Sequence, residues 1–480
     1  MKSVNKLYAI VIACFFLIFS TVCFLSPASA GEADRLSSAK ASFDVDKMGD
    51  MSGFDPSNPV TPTGDTIKIA LVMPFSGPAA VIGETWYLFL QWAAHDYNQR
   101  GGIFVDGKKK LVEVIKADNQ SKQTQTKKIS ERMALVEKVH VLAGCASTPN
   151  TIVMQNTAAK YKIIGHNCGG MADNLMDAQN FNRYTFKTLY DTNQFGTGLA
   201  YYYGQIRKKE KKFYVLCQDY SYGHSTASAF MEGLKKYFPD AVIVGEDYHP
   251  LFLKDFAPYL TKIQASGAEA IFTADWHPDL TNLIKQAREL NIMIPIASKD
   301  MDNPQLTLQL GMDGSRNLFS ISPNYAANPV FKTEEQKKFH TMWIDLWAKW
   351  SLPYNIDKYK YPEVSSGHTM MQFYWLLSVI ERAKSTDPEK IIQVWEDDTF
   401  RVLNGSVWKM RPCDHRVIYD LAVTEIVPPE EQKAAYNIPP YHWFEDRCFT
   451  GPVSVIPAGN VLPYMDKELD RCKGKNGWGE

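Results

Sequence analysis

The sequence predicts an α/β protein of two lobes, each a mainly parallel sheet flanked by helices. Three observations carry this. Compact β-branched and aliphatic runs alternate with helical stretches of three or four turns across short loops, the signature of βαβ units. The alternation runs from Thr66 to about Ile164 and then restarts near residue 192. The chain has 480 residues, more than one ordinary domain holds.

Taken in order, Lys2 and Lys6 precede an apolar run from Leu7 to Leu25 that only Ser20 and Thr21 interrupt. Pro27 ends it, and Ala28 and Ala30 place small residues before Gly31. This is the order of a secretory signal peptide over residues 1–30, with an uncleaved anchor as the alternative. Residues 31–64 are polar and turn-rich, with Pro56, Pro59, Pro62 and Gly64, and are expected to be a flexible lead-in. The first strand is Thr66 to Met73. A helix follows through Trp86, Leu88, Leu90 and Trp92 to Gly101-Gly102. Leu111 to Ile115, His140 to Ala143 and Tyr161 to Ile164 are the next strands, with helices over 122–138 and 150–160 between them. The second unit places strands at Phe213 to Cys217, Ala241 to Val244, Ala270 to Thr273 and Ile292 to Ala297. Its helices lie near 192–207, 224–237, 255–266 and 280–290. Two further helices are expected near 334–350 and 366–384, and the last strands between 398 and 427. After Pro428 no periodicity is visible.

Composition narrows the function. Lys plus Arg number 52 against 53 acidic residues, so nothing favours nucleic acid or an anionic membrane surface. Of the 8 cysteines, Cys14 and Cys23 fall in the leader and an even set remains, which suits disulfides in an oxidising compartment. No CxxC spacing supports a metal site. Cys145 and Cys168 follow strands expected to be neighbours and are candidates for one bond. Cys448 with Cys413 or Cys472 is the candidate staple for the tail.

In open α/β sheets, ligands sit beyond the carboxyl ends of the strands. Two such sheets face to face therefore share one cleft, and the strand-end loops become the candidates. After the third strand comes Gly144-Cys145-Ala146-Ser147-Thr148-Pro149-Asn150. Its small residues and the following helix N-terminus favour a carboxylate, and Ser147 or Thr148 adds a hydroxyl or simply caps the helix. After the fourth comes Gly165-His166-Asn167-Cys168-Gly169-Gly170-Met171, where Cys168, Gly169 and Gly170 offer backbone. In the second unit, Tyr222 can stack on a ligand. Trp276 and His277 follow a buried strand, and Asp300 can pair with an ammonium. Each has the alternative of an ordinary loop residue. Together an anion-favouring loop faces carboxylates, which suits a zwitterion.

The stretches IKIALVMPFSGPAAVIGE, GLAYYYGQIRKKEKKFYVLCQDYSYGHSTASAFMEGLKK, DFAPYLTKIQASGAEAIFTADWHPDLTNLIKQARELNI and GHTMMQFYWLLSVIERAKSTDPEKI resemble, in order and spacing, the periplasmic leucine/isoleucine/valine-binding protein family. These are the type I substrate-binding proteins of ABC importers, and the likeness covers roughly residues 66–427. It implies crossovers near 189, 323 and 400. The lobes then comprise 65–189 with 326–399 and 190–325 with 400–427, and 428–480 is a C-terminal extension. It implies hinge closure on ligand. The family's serine looks like Ser147, its backbone contacts like Gly169 and Gly170, its tyrosine like Tyr222, its aromatic like Trp276 beside His277, and its ammonium-binding acid like Asp300. Met171 stands where the amino-acid binders place a threonine, so the ligand can differ from a branched-chain amino acid.

The expected function is an exported, monomeric, periplasmic receptor. It captures a small polar, amino-acid-like ligand and delivers it to an ABC transporter permease, without cofactor or metal. A sensor acting on a signalling partner is the alternative. An enzyme is disfavoured, since no GxSxG, HExxH, P-loop or GxGxxG is present.

Overall fold

A computed structural model describes residues 35–323, 334–347, 349, 364–431 and 448–480. The leader expected over residues 1–30 lies outside them. No described helix is long and apolar enough to cross a membrane.

The first large sheet has six strands in the order β3-β4-β2-β5-β6-β7. They are β2 (Thr66–Met73), β3 (Ile103–Val105), β4 (Lys108–Asp118), β5 (Val141–Gly144), β6 (Ile164–Asn167) and β7 (Thr185–Lys187), with β1 (Ala41–Ser42) elsewhere. All neighbours are parallel except the β3–β4 hairpin. Its helices are α1 (Ala80–Gln99), α2 (Gln123–Leu135) and α3 (Thr148–Tyr161). β2 is buried almost throughout because helices cover both of its faces. Ile69, Leu71 and Met73 enter one apolar cluster, while Ala70 and Val72 enter another.

The chain then crosses to α4 (Thr192–Tyr201) and builds the second large sheet from β8 (Lys212–Gln218), β9 (Val242–His249), β10 (Ala270–Phe272), β11 (Ile296–Ser298) and β12 (Leu318–Pro323). The linking helices are α5 (Ser221–Tyr237), α6 (Ala257–Ser266), α7 (Asp279–Glu289) and α8 (Pro304–Gly314). These five strands run parallel. The two units repeat one winding: the first strand has the second on one side and the third and fourth on the other. Each unit therefore has its topological switch beside its first strand.

Helices α9 (Glu334–Trp347), α10 (Val364–Ala383) and α11 (Pro388–Trp395) follow. Trp343 packs 4.8 Å from Trp92, centroid to centroid, and α10 lies against α1. β13 (Thr399–Arg401), β14 (Val407–Met410) and β15 (Val417–Ile418) form a small sheet with β1 in the order β1-β13-β14-β15. Residues 400–418, grouped above with the second lobe, thus pair outside the second large sheet. Arg416 bridges to Lys187 of β7, at the edge of the first sheet. The pairing back to the second sheet starts with β16 (Leu421–Val427), antiparallel to β12.

Three other expectations change. Residues 35–64 are packed: β1 pairs with β13, and Val45, Met51 and Phe54 are buried in the main cluster. The tail has regular structure, because β17 (Phe449–Ile456) adds an antiparallel edge strand to β16. Its Pro and Gly content concealed the pattern. The cysteine pairing also differs. Cys413 and Cys472 are bonded, with Cα atoms 5.1 Å apart. Cys145 and Cys168 remain free, because their side chains enter different apolar clusters of the first sheet. Cys448 is free too, and its thiol meets the Met312 carbonyl at 3.3 Å.

Beyond β17 the tail returns to the crossovers. Buried Arg411 donates to the carbonyls of Pro463 (3.1 Å) and Gly477 (2.7 Å) and pairs with Asp414 at 2.6 Å. Arg416 pairs with Asp191 at 2.9 Å, and the Tyr464 N–H donates to the same Asp191 carboxylate. Asp191 also caps α4, accepting from the Gln194 N–H at 2.9 Å. A tail segment beyond β17, a crossover and a helix start thus meet on one carboxylate.

Candidate functional site

The carboxyl ends of both large sheets open on one cavity of about 410 Å³. The first sheet contributes Ala79 after β2, Ala146 and Thr148 after β5, and Gly169 and Met171 after β6. The second contributes Tyr220 and Tyr222 after β8, Trp276 and His277 after β10, and Lys299, Asp300 and Asp302 after β11. Crossover residues Leu189, Tyr190 and Ser322 and the α10 residues His368 and Thr369 close the back. These are the loops that strand-end reasoning selects.

Of the candidates, Thr148, Gly169, Tyr222, Trp276, His277 and Asp300 line this cavity, whereas Ser147, Cys168 and Gly170 do not. Ser147 holds the cap position of α3 without a side-chain cap bond, and its carbonyl accepts from the Thr151 N–H and hydroxyl. Cys168 is fully buried in the main core. Gly169 and Gly170 do not offer free backbone donors, since both N–H groups turn back on the Asn167 side-chain oxygen, at 3.3 and 2.8 Å. Their smallness serves packing. A Cβ on Gly169 would sit 2.3 Å from the Cys145 carbonyl oxygen, and one on Gly170 would sit 2.5 Å from the Thr151 hydroxyl.

The second-lobe wall is braced from behind. Trp276 donates its indole N–H to the Tyr220 hydroxyl at 3.0 Å, and Phe252 meets it edge-on at 5.8 Å. One residue before, buried Asp275 accepts from His249 Nε2 at 2.9 Å. The other His249 nitrogen faces the Pro250 carbonyl at 2.9 Å. Both partners are acceptors, so both ring nitrogens donate and the imidazole is charged. Burial opposes this charge, but the Asp275 bond and field outweigh it and raise the pKa of His249.

The polar inventory of the cavity is uneven. Asp300, in a left-handed backbone conformation at φ 61°, is tied to its neighbour Lys299. His277 bonds Thr281 through Nδ1 at 2.9 Å, and burial keeps it neutral by lowering its pKa. His368 is held neutral in the same way, its pKa down at about 3. Asp302 accepts from Ser320 at 2.6 Å through one oxygen only, and burial, with Asp300 adding, pushes its pKa up to about 7. Four residues of the lining each hold one fully buried polar atom with no hydrogen-bond partner among the described residues: the Tyr222 hydroxyl, His277 Nε2, Asp302 Oδ2 and the Ser322 hydroxyl.

Sequence reasoning passed over Trp86, Tyr190, Asp302, Ser322 and His368. Asp302 stood in a loop already singled out, two residues past Asp300. Tyr190 and His368 lie at a lobe crossing and on a distant helix, where no strand-end rule points, and Ser322 lies at the end of β12, a strand the sequence reading did not include.

Comparison with known proteins agrees with this architecture. The family model described as periplasmic binding protein matches residues 66–433. An amino acid binding protein of Pseudomonas aeruginosa is 26% identical over 239 residues, 49% of this chain and 60% of that protein. The match thus spans less than two thirds of that relative's length. Leu/Ile/Val-binding protein homolog 4 of Brucella melitensis is 22% identical over 82% of this chain and 92% of its own length. A solute-binding protein of an ABC transporter from R. palustris, solved with 4-hydroxybenzoate, superposes with TM-score 0.64 at 19% identity, covering 82% of this chain and 98% of that one. Two sheets aimed into one cleft, with this match along most of the chain, define a bilobal solute-receptor fold. The chain belongs to the periplasmic binding protein family, in the leucine/isoleucine/valine-binding group of its type I members.

Proposed function

We propose that the protein is an extracytoplasmic receptor that captures a small, amino-acid-like polar molecule between its lobes and delivers it to the membrane permease of an ABC importer. The observation that carries this reading is the cavity of about 410 Å³ onto which the carboxyl ends of both large sheets open, lined by residues of both. Thr148 at the α3 N-terminus favours an anionic group on the first-lobe side. Tyr222, Trp276 and His277 supply the opposite wall. Contacts to both lobes stabilise the closed form over the open one, so ligand shifts the population rather than undergoing chemistry. Delivery from the periplasm fits the leader expected over residues 1–30 and the Cys413–Cys472 bond.

Thermal unfolding of the mature protein against amino acids, amides and aromatic carboxylates tests the reading. A true ligand at a hundred times its Kd adds about 2.7 kcal/mol of stability. If no small polar molecule raises the melting temperature, the receptor reading is wrong.

A further inference from the structure

Resting on the two-lobed receptor reading, we infer that the tail beyond β17 is a fourth tie between the lobes, a covalently closed strap that limits the swing of one lobe against the other. The chain passes between the lobes after β7, after β12 and after β15. The tail makes the passage once more. It leaves β17, the edge strand of the second sheet, and ends its span at Cys472, which is bonded to Cys413 between β14 and β15 on the first-lobe side. The match to the periplasmic binding protein model stops at residue 433, so the strap lies outside the matched fold.

Each end is anchored on a different lobe. On the second-lobe side, the Tyr237 hydroxyl of α5 donates to the Asn460 carbonyl at 2.9 Å, and the Asn193 side chain of α4 donates to the Leu462 carbonyl at 3.0 Å. On the first-lobe side, the Ala178 N–H donates to the Asp466 carboxylate at 2.8 Å, and Arg471 pairs with Glu396 at 2.6 Å. Between them, the Tyr464 N–H reaches Asp191 at the first crossing, at 3.0 Å. Apolar burial backs both ends, since Val461 enters the main core and Leu469 packs with the two bonded cysteines. No described tail residue lines the cavity, so this packing serves the lobes and not the solute.

The short span turns the anchors into a stop. Leu462 and Asp466 are four residues apart, and an extended chain covers at most about 3.6 Å per residue, so the two anchor points stay within about 14 Å of each other while both hold. A rotation that carries α4 away from Ala178 must halt there or break the hydrogen bonds of the strap. The Cys413–Cys472 bond keeps the first-lobe end from peeling off. With fewer orientations open to the empty protein, closure on a solute has less conformational freedom to lose.

The test reads interlobe distances in the empty protein, with spin labels on Lys127→Cys of α2 and Glu289→Cys of α7, both exposed and neither lining the cavity. Three mature proteins are compared: the full chain, the full chain with Cys413→Ser, Cys472→Ser and Asp466→Ala, and a chain ending at Ile456 with Cys413→Ser. The expected result is a narrow distribution for the first and one about twice as wide for the chain ending at Ile456, with the full-length variant between them. A chain ending at Ile456 that keeps the native circular dichroism and the native width would overturn the inference. If that chain does not fold, the full-length variant decides in its place, and an unchanged width there overturns the inference. No solute enters the measurement, so failure of the strap leaves the receptor reading intact, and failure to find a ligand leaves the strap result standing.

Discussion

His249 shows how a residue outside the cleft shapes it. Its two nitrogens face a carboxylate and a carbonyl, so it is folded in as a cation beneath the Trp276 loop. A raised folded pKa means that its stabilisation is fully present below the unfolded value of about 6.5 and is lost as pH rises through the folded one. Denaturant unfolding should therefore show wild type losing more stability than His249→Gln on going from pH 6 to 9. Breaking the pair from the other side strands a buried cation. Asp275→Asn should cost about 3 kcal/mol at pH 6, and a change under 1 kcal/mol would contradict the pairing. Trp276 itself is cleft wall, held by Tyr220 and Phe252. Trp276→Ala should weaken ligand binding at least tenfold, about 1.4 kcal/mol, with little effect on the melting temperature. Titration calorimetry and a thermal scan separate the two effects.

At the scale of elements, the helix after the first strand of each large sheet's parallel run, α1 after β2 and α5 after β8, approaches its strand-end loop through a glycine. A Cβ on Gly83 of α1 would lie 2.1 Å from the Pro74 carbonyl oxygen, and one on Gly223 of α5 would lie 1.9 Å from that of Gln218. Neither obstacle is a movable side chain, so α1 or α5 itself would have to shift. Gly223→Ala should cost about 2 kcal/mol and displace Tyr222, giving weaker ligand binding together with a lower denaturation midpoint. This part of the fold was readable in advance. The β2–α1 and β8–α5 units appear as an aliphatic run, a turn and an amphipathic stretch, and their loops reach the cleft where strand-end reasoning put them. What could not be read depends on distant pairing. The period-2 signal of β17 is broken by Gly451 and Pro452, and its partner β16 supplies the order. The two glycines after β6 looked like ligand-facing backbone, but Asn167, two and three residues away, takes their N–H groups.

At the scale of the molecule, the chain crosses between lobes, and a buried hydrogen-bond chain joins the crossings to the cleft. His166 meets the Thr188 hydroxyl at 2.7 Å, Thr188 bonds Gln372 at 2.5 Å, Gln372 reaches His368 at 3.4 Å, and His368 meets the Tyr419 hydroxyl at 3.2 Å. Thr188 and Tyr419 sit on two separate crossings, and His368 lines the cavity. Sequence reveals none of this, because the members lie up to 253 positions apart. The tail adds a covalent tie, with Cys472 fixed to Cys413 beside the Arg411 and Arg416 cluster. Reducing that bond should lower stability by about 2–4 kcal/mol, measured as a shift in the unfolding midpoint with and without reductant.

Solute bound in the cleft is expected to draw the two lobes together. Val81 on α1 and Lys285 on α7 are exposed residues on opposite walls of the cavity. Spin labels on Val81→Cys and Lys285→Cys would report the gap directly, since the four free thiols among the described residues are buried. Saturating ligand should shorten the distance and collapse its distribution to one narrow peak. An unchanged distribution at saturation would contradict the account.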